Sequence, residues 1–340
     1  MGKPITLRDV AEQASVHPST ASRALNSRTR DMVNPATVAR VLEVARELGY
    51  QPNSLARGLK MNQTFTVGML VPDLTNPLFP PIVRGIEDRL NEQGYTLVLA
   101  NTDNDDGKER AIISAMGTRR VDGLILATAR REYPLLDEIL AGDLRVVLVN
   151  RAVDNPAVPS VVGDDHAGVG FAVRHLVELG HRRIAHVAGT QAVTTGLARY
   201  QSFVSWMQSL DLELDRDLVV FADWFQEQSG ARAFAELLDR GRDFTAVVAA
   251  NDLIALGCYD VLTERGLRVP EDVSVIGYND IPFSDKFNPP LTTIRIPHYA
   301  MGVRGAELLL EAIDDPDATP VSMRLSPSLV IRASTAPPRR

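Results

Sequence analysis

The chain has 340 residues, 45% hydrophobic and 23% charged, with a net charge of −7 and a mean hydropathy of −0.05. That is ample material for a sizeable core in more than one domain. No apolar run approaches the roughly twenty residues of a bilayer span, no signal-peptide apolar core opens the chain, and the single Cys258 excludes an intramolecular disulfide, so a cytoplasmic chain without a membrane partner is expected.

Leu7, Val10, Ala11 and Ala14 recur at helical spacing behind Thr6, which is placed as an N-cap. After a turn at Ser15 and Val16, Pro18 suits the first turn of a second helix running to about Asn26. Its Ala21, Ala24 and Leu25 can pack inward, which leaves His17, Pro18, Ser19, Ser22, Arg23 and Asn26 outward. Such a face suits a major groove, where Arg pairs with guanine edges and Ser or Thr contacts bases or phosphates. A third helix is expected from about Pro35 to Leu48, capped by Asn34 and stopped by Gly49. YQPNSLARGLK, from Tyr50 to Lys60, reads as a short basic helix weakened by Gly58, since Gly costs about 1 kcal/mol relative to Ala. Residues 1–60 hold nine Lys or Arg against five Asp or Glu, a charge of +4 that leaves −11 on the remainder. A basic module on an acidic body is the asymmetry of a nucleic-acid binder whose other part stays off the phosphates.

From Phe65 onward short apolar runs alternate with helical patterns, the mark of parallel α/β architecture. The runs are FTVGMLV, YTLVLAN, DGLILAT, RVVLVN, RIAHVAG, AVVAAN and DVSVIGY, with helices expected near 79–93, 108–120, 166–180, 196–210, 228–240, 251–265 and 299–314. Ligand sites in open α/β sheets lie outside the carboxyl ends of strands. The residues just past the runs are Asp73, Asn76 and Phe79; Asn101 and Asp103; Asn150 and Arg151; Thr195 and Arg199; Asn251 and Asp252; Asn279 and Asp280. Several of these polar groups converging beside Phe79, Trp224 and Phe225 would make a sugar site; singly, each has an ordinary alternative as a helix cap or loop bond. DNDDG at 103–107 lacks the spacing and terminal Glu of an EF-hand, and His175, His181 and His186 lack metal-ligand spacing. No nucleophile elbow, P-loop or dinucleotide fingerprint is present, so no catalysis, metal or cofactor is assigned. Cys258, within LIALGCYDVL, reads as a buried helical thiol.

The motifs T-x-x-D-V-A from Thr6, S-T-A-S-R-A-L-N from Ser19 and Y-x-P-N-x-x-A-R-x-L from Tyr50 resemble those of the LacI/GalR family of bacterial transcriptional regulators, and the resemblance covers nearly the whole length. It implies a small all-α helix-turn-helix head, residues 1–49, a hinge helix and linker at 50–63, and a core at 64–333 of two flavodoxin-like parallel-sheet lobes of the periplasmic-binding-protein type. The implied N-lobe is about 64–163 and 292–320, and the C-lobe about 164–291 and 321–333, with crossings near Gly163, Leu291 and Val321 and a short tail at 334–340. It further implies that Pro18, Ser19 and Arg23 face base edges and that Thr6, His17, Thr20, Ser22 and Asn26 touch or approach the DNA backbone. The hinge, with Asn53, Ala56, Arg57 and Lys60, would enter the minor groove with Leu59 as the wedge, an arrangement that needs two chains and a pseudo-palindromic operator. Candidate effector residues are Asn76, Phe79, Asn150, Arg151, Thr195, Arg199, Trp224, Phe225, Asn251 and Asn279. Val193 stands where purine-responsive members place an Arg, and Asn279 where many have Asp, which disfavours a purine; Arg151, Arg199 and Arg295 leave room for a carboxylate or phosphate. The reading is therefore a homodimeric DNA-binding repressor controlled by a sugar-like effector, with a soluble sugar-binding receptor without DNA function as the alternative. RASTAPPRR at 332–340 carries no leucine heptads, so no tetramer is expected.

Overall fold

A computed structural model describes residues 5–25, 29–50, 63–142, 144–153, 158–241 and 243–339. They form two compact units divided at Phe65. The first holds α1 (Leu7–Gln13), α2 (Pro18–Leu25) and α3 (Pro35–Glu47). Thr6 and Asp9 make a reciprocal capping box, Asp9 N–H donating to Thr6 Oγ1 at 3.4 Å and Thr6 N–H to Asp9 Oδ2 at 2.7 Å. Ser15, at φ 52°, turns the chain, and the His17 carbonyl accepts the amides of Thr20 and Ala21 to start α2. Asn34 Oδ1 accepts Ala36 N–H at 2.9 Å to start α3. Val10, Ala11, Ala14, Ala21, Ala24, Val38, Val41, Val44 and Ala45 close the core, small side chains letting α1 and α2 approach closely.

In the second unit, β1 (Thr66–Val71), β2 (Thr96–Asn101), β3 (Gly123–Leu126), β4 (Arg145–Val149), β5 (Ser160–Gly163) and β11 (Ser322–Leu325) form a parallel sheet ordered β11-β5-β4-β3-β1-β2. A second sheet, ordered β12-β10-β9-β8-β6-β7, contains β6 (Ile184–Ala188), β7 (Val219–Phe221), β8 (Ala246–Ala249), β9 (Ser274–Asn279), β10 (Thr292–Arg295) and β12 (Ser328–Val330), the last antiparallel to β10. The central strands β1, β3, β4, β8 and β9 are mainly apolar because helices cover both faces. These helices are α4 (Phe79–Glu92), α5 (Asp106–Thr118), α6 (Pro134–Leu140), α7 (Asp165–Glu178), α8 (Thr194–Ser209), α9 (Glu227–Asp239), α10 (Asp252–Glu264) and α11 (His298–Asp314). Cys258 is buried in α10.

Two expected crossings between lobes fall elsewhere. The sequence places the second at Leu291, but β10 pairs with β9, Thr292 opposite Ile276, so the chain leaves the C-lobe only after Arg295. The Thr293 hydroxyl donates to the buried Asp252 carboxylate at 2.5 Å, a bond that puts a polar strand in the interior where apolar patterning gives no signal. The third is expected at Val321, but β11 pairs with β5, Ser322 opposite Ser160, so the crossing follows Leu325. Residues 334–339 are also more than a tail. Ser334 is fully buried, accepting Thr292 N–H at 2.7 Å and donating to the Val275 carbonyl at 2.6 Å.

α11 returns late in the chain to pack on α4 in the N-lobe, and the contact runs through glycine. A Cβ at Gly85 would meet the Tyr299 carbonyl oxygen at 2.2 Å, and one at Gly302 would meet the Ile82 carbonyl oxygen at 2.1 Å. Backbone cannot yield as a flexible side chain does. Gly85→Ala is expected to cost about 2 kcal/mol, whereas Gly117→Ala in α5, where nothing stands within 4 Å, should stabilise by up to about 1 kcal/mol. Urea unfolding of both variants against the parent checks the pair.

Candidate functional site

In the head, His17, Ser19, Ser22 and Arg23 are exposed along one side of α2, with Pro18 and Thr20 half-buried beside them. His17 Nδ1 and Ser19 Oγ are 2.7 Å apart, which fixes the entry turn. Thr29 Oγ1 and Arg30 Nε donate to the carbonyls of Arg23 and Ala24 and close the other end of the helix. Arg23 therefore projects from a helix anchored at both ends. Asn26 and the hinge residues Asn53, Ala56, Arg57, Leu59 and Lys60 lie outside the described residues.

In the second unit a cleft of about 490 Å³ opens between the lobes at the carboxyl ends of the strands. All ten candidate effector residues line it: Asn76, Phe79, Asn150, Arg151, Thr195, Arg199, Trp224, Phe225, Asn251 and Asn279. Phe79 is buried and Trp224 is 44% exposed, so one aromatic face lies deep and another at the mouth. Asn150 and Asn279 hold positive φ of 65° and 113° as they leave β4 and β9, conformations that non-glycine residues adopt at a cost and that cluster at functional sites. Three contacts close the mouth: Gln226 Nε2 donates to Asp73 Oδ2 at 3.2 Å, Arg131 N–H donates to the Ala192 carbonyl at 3.0 Å, and Arg131 Nη1 donates to the Gln191 carbonyl at 3.4 Å.

Two of the three arginines singled out from the sequence, Arg199 and Arg151, are in opposite states. Arg199 donates from Nε to Asp165 Oδ1 at 2.9 Å and from Nη1 to the Ala250 carbonyl at 2.7 Å, with its guanidinium 3.9 Å from the centre of the Tyr278 ring. Truncating it would leave a buried carboxylate unpaired, so Arg199→Ala is a stability variant before it is a binding variant. Arg151 is buried with its Nε unpartnered, and burial, reinforced by Arg130 and opposed by Glu109, pushes its pKa down to about 10. Asn251 and Asn76 also bond their own chain: Asn251 Oδ1 caps α10 by accepting Ile254 N–H at 2.8 Å, and Asn76 Oδ1 accepts Leu78 N–H at 3.0 Å in the turn before α4.

Other nominated residues are held elsewhere. Asn101 Oδ1 accepts Leu74 N–H, and Asp103 pairs with Lys108. Asp252 is buried inside the C-lobe, and Asp280 is shared by Arg295 and Arg332 at 2.6 and 2.7 Å, so Arg295 is not available to the cleft. His175 bonds Thr335, His181 bonds Thr245 and the Ala336 carbonyl, and His186 bonds the Val248 carbonyl.

Residues 6–53 match the model of bacterial regulatory proteins of the lacI family, and residues 173–335 that of the periplasmic binding protein-like domain. The chain is 35% identical over 334 residues to the HTH-type transcriptional repressor PurR of Aliivibrio fischeri, covering 97% of this chain and 98% of the relative. The chain belongs to the LacI family. A ribose operon repressor of Halalkalibacterium halodurans is 33% identical, covering 97% of each chain. Among solved structures, a complex of the transcriptional regulator CelR with cellobiose superposes with a TM-score of 0.76 at 34% identity, covering 97% of this chain and 99% of that one. A lac repressor dimer bound to operator superposes at 0.81 with 28% identity, covering 98% and 100%. The PurR and ribose operon relatives are transcriptional repressors, and among the described residues no helix is long and apolar enough to cross a membrane.

Asn104, Arg130, Gln191, Asp223 and Gln226 also line the cleft of this LacI-family chain, beyond the residues expected from the sequence. Arg130 follows β3, the one early strand past which no residue was nominated, so the rule that found Asn150 and Arg151 also finds it. Glu109 is a helical residue behind the cleft wall that accepts the hydroxyls of Thr128 and Tyr133, and its burial has no signature in a polar helix start.

His298, at the start of α11, is buried with Nε2 unpartnered among the described residues, and burial together with the charge of Arg199 pushes its pKa down to about 4. The fold requires the neutral ring, so this contribution is complete above the unfolded pKa of about 6.5 and is lost as pH falls towards 4. The loss is at most about 3 kcal/mol. His298→Phe should therefore flatten the fall in stability between pH 6.5 and 4, as denaturation midpoints across that range will report.

Proposed function

We propose that this chain is a cytoplasmic, homodimeric repressor that binds pseudo-palindromic operator DNA through its head and is controlled by a sugar-like molecule in the interlobe cleft. The observation that carries this reading is the presence, in one LacI-family chain, of an anchored helix exposing Ser19, Ser22 and Arg23 and a separate cleft lined by Asn76, Asn150, Asn251 and Asn279. A receptor that only binds sugar has no use for the first. Val193, buried where α8 begins, supplies no guanidinium to the cleft and speaks against a purine.

Control follows from geometry. Asn76 and Phe79 belong to the N-lobe and Phe225, Asn251 and Asn279 to the C-lobe, so a ligand touching both sets binds one lobe angle better than another. Only such differential affinity moves an equilibrium, and the coupling, typically about 1 to 3 kcal/mol, is reciprocal between ligand and DNA.

Fluorescence anisotropy of labelled promoter DNA from the chain's own operon, titrated with the full chain with and without a carbohydrate library, tests the reading; absence of a specific complex overturns it. Arg23→Ala should lose about 1 to 3 kcal/mol of specific affinity and flatten discrimination at one operator position while keeping non-specific binding. Trp224→Ala should weaken ligand binding about tenfold, a loss of about 1.4 kcal/mol, with ligand-free operator affinity unchanged, as parallel titrations with ligand and DNA will show.

A further inference from the structure

Charge is spread unevenly through the cleft. Its carboxylates are Asp73 and Asp223, and each is already engaged, Asp73 by Thr75 and Gln226 and Asp223 by Arg232 at 3.7 Å. Its guanidiniums are Arg130, Arg151 and Arg199. Arg199 is neutralised by Asp165, and Arg130 pairs with Asp106 at 2.7 Å and donates to the Asn104 carbonyl at 2.5 Å. Arg151 stands apart. It is 8% exposed, its Nε has no partner, and among the described residues no ion pair reaches it. Glu109 acts on it, but that carboxylate already accepts two hydroxyls. Asn279 presents the complementary deficiency, a buried Oδ1 with no donor.

We propose that the effector is an anionic monosaccharide, a polyol whose carboxylate or phosphate pairs with Arg151 while a hydroxyl donates to Asn279. This rests on the cleft being the effector site of a repressor and goes further by naming the ligand's charge. An isolated buried cation is expensive, and its cost falls only when a counter-charge arrives. A neutral sugar would accept the N–H groups of Arg151 and leave its charge uncompensated. A carboxylate or phosphate meets the planar fork with two parallel hydrogen bonds and cancels the charge as well. Thr195, Asn150 and Asn251 supply polar groups for the remaining hydroxyls, and Phe79 an apolar face.

The test is calorimetric titration of the full chain with matched sets: D-glucose, D-gluconate, D-glucuronate and glucose 6-phosphate, and the corresponding galactose series. At least one anion should bind tenfold or more tightly than its neutral parent; preference for the sugar acids assigns the carboxylate, and preference for the 6-phosphates assigns the phosphate. Arg151→Gln should erase the preference, and Arg151→Lys, which keeps the charge without the fork, should retain part of it. A neutral sugar that binds as tightly as its anions, or an Arg151→Gln variant with an undiminished preference, overturns the proposal. If no sugar in the set binds, thermal unfolding in sulfate and in inorganic phosphate, against sodium chloride of equal ionic strength, decides it: the parent should gain several degrees more than Arg151→Met, and an equal response overturns the proposal. Failure of operator binding in the anisotropy assay would remove the repressor reading while leaving an anion preference at Arg151 standing.

Discussion

One buried guanidinium organises the C-lobe side of the cleft. Arg199 reaches from α8 to Asp165 at the head of α7, to the carbonyl that ends β8 and to the ring of Tyr278 in β9. Three residues that face the cleft sit beside this network: Thr195 one turn before Arg199, Asn251 directly after Ala250, and Asn279 directly after Tyr278. The ion pair pays its desolvation through short, directed bonds, and what it supplies is registration of three elements rather than net stability.

The N-lobe side is built differently. Asn76 and Phe79 lie on the turn into α4, and α4 is held by α11 through the reciprocal approaches at Gly85 and Gly302. α11 begins at His298, immediately past the second crossing, so the helix that fixes the N-lobe wall is attached at its root to the segment that must bend when the lobes move. The contacts at the mouth, Gln226 to Asp73 and Arg131 to Gln191 and Ala192, are few and exposed.

Much of this was legible in the residues. The head was readable because capping signals and apolar spacing agree at every turn, and the central strands because burial on both faces makes them continuous apolar runs. The edges were not. β5, β7, β10, β11 and β12 are short and carry Ser, Thr, Arg or exposed apolar positions, and α6 is a seven-residue helix opened by Pro134. Thr293 entered the interior through a hydroxyl bond to Asp252, which no hydropathy pattern registers, and so the second crossing was misplaced. At the cleft, position past a strand end identified the right residues, but not their state: that Arg199 is paired and Arg151 is not depends on Asp165, thirty-four positions from its partner.

The placement of the crossings also bears on how the molecule comes into being. The N-lobe sheet that starts at Thr66 has its outer strand at Ser322–Leu325, and α4 waits for α11. During synthesis neither lobe can complete its core until nearly the whole chain has emerged, and contacts of such sequence separation form slowly. The head closes its core within the first fifty residues, from local contacts alone. The DNA-reading surface is thus ready while the sensor is still an open chain, and a nascent polypeptide gains its reader well before it gains the means to be regulated.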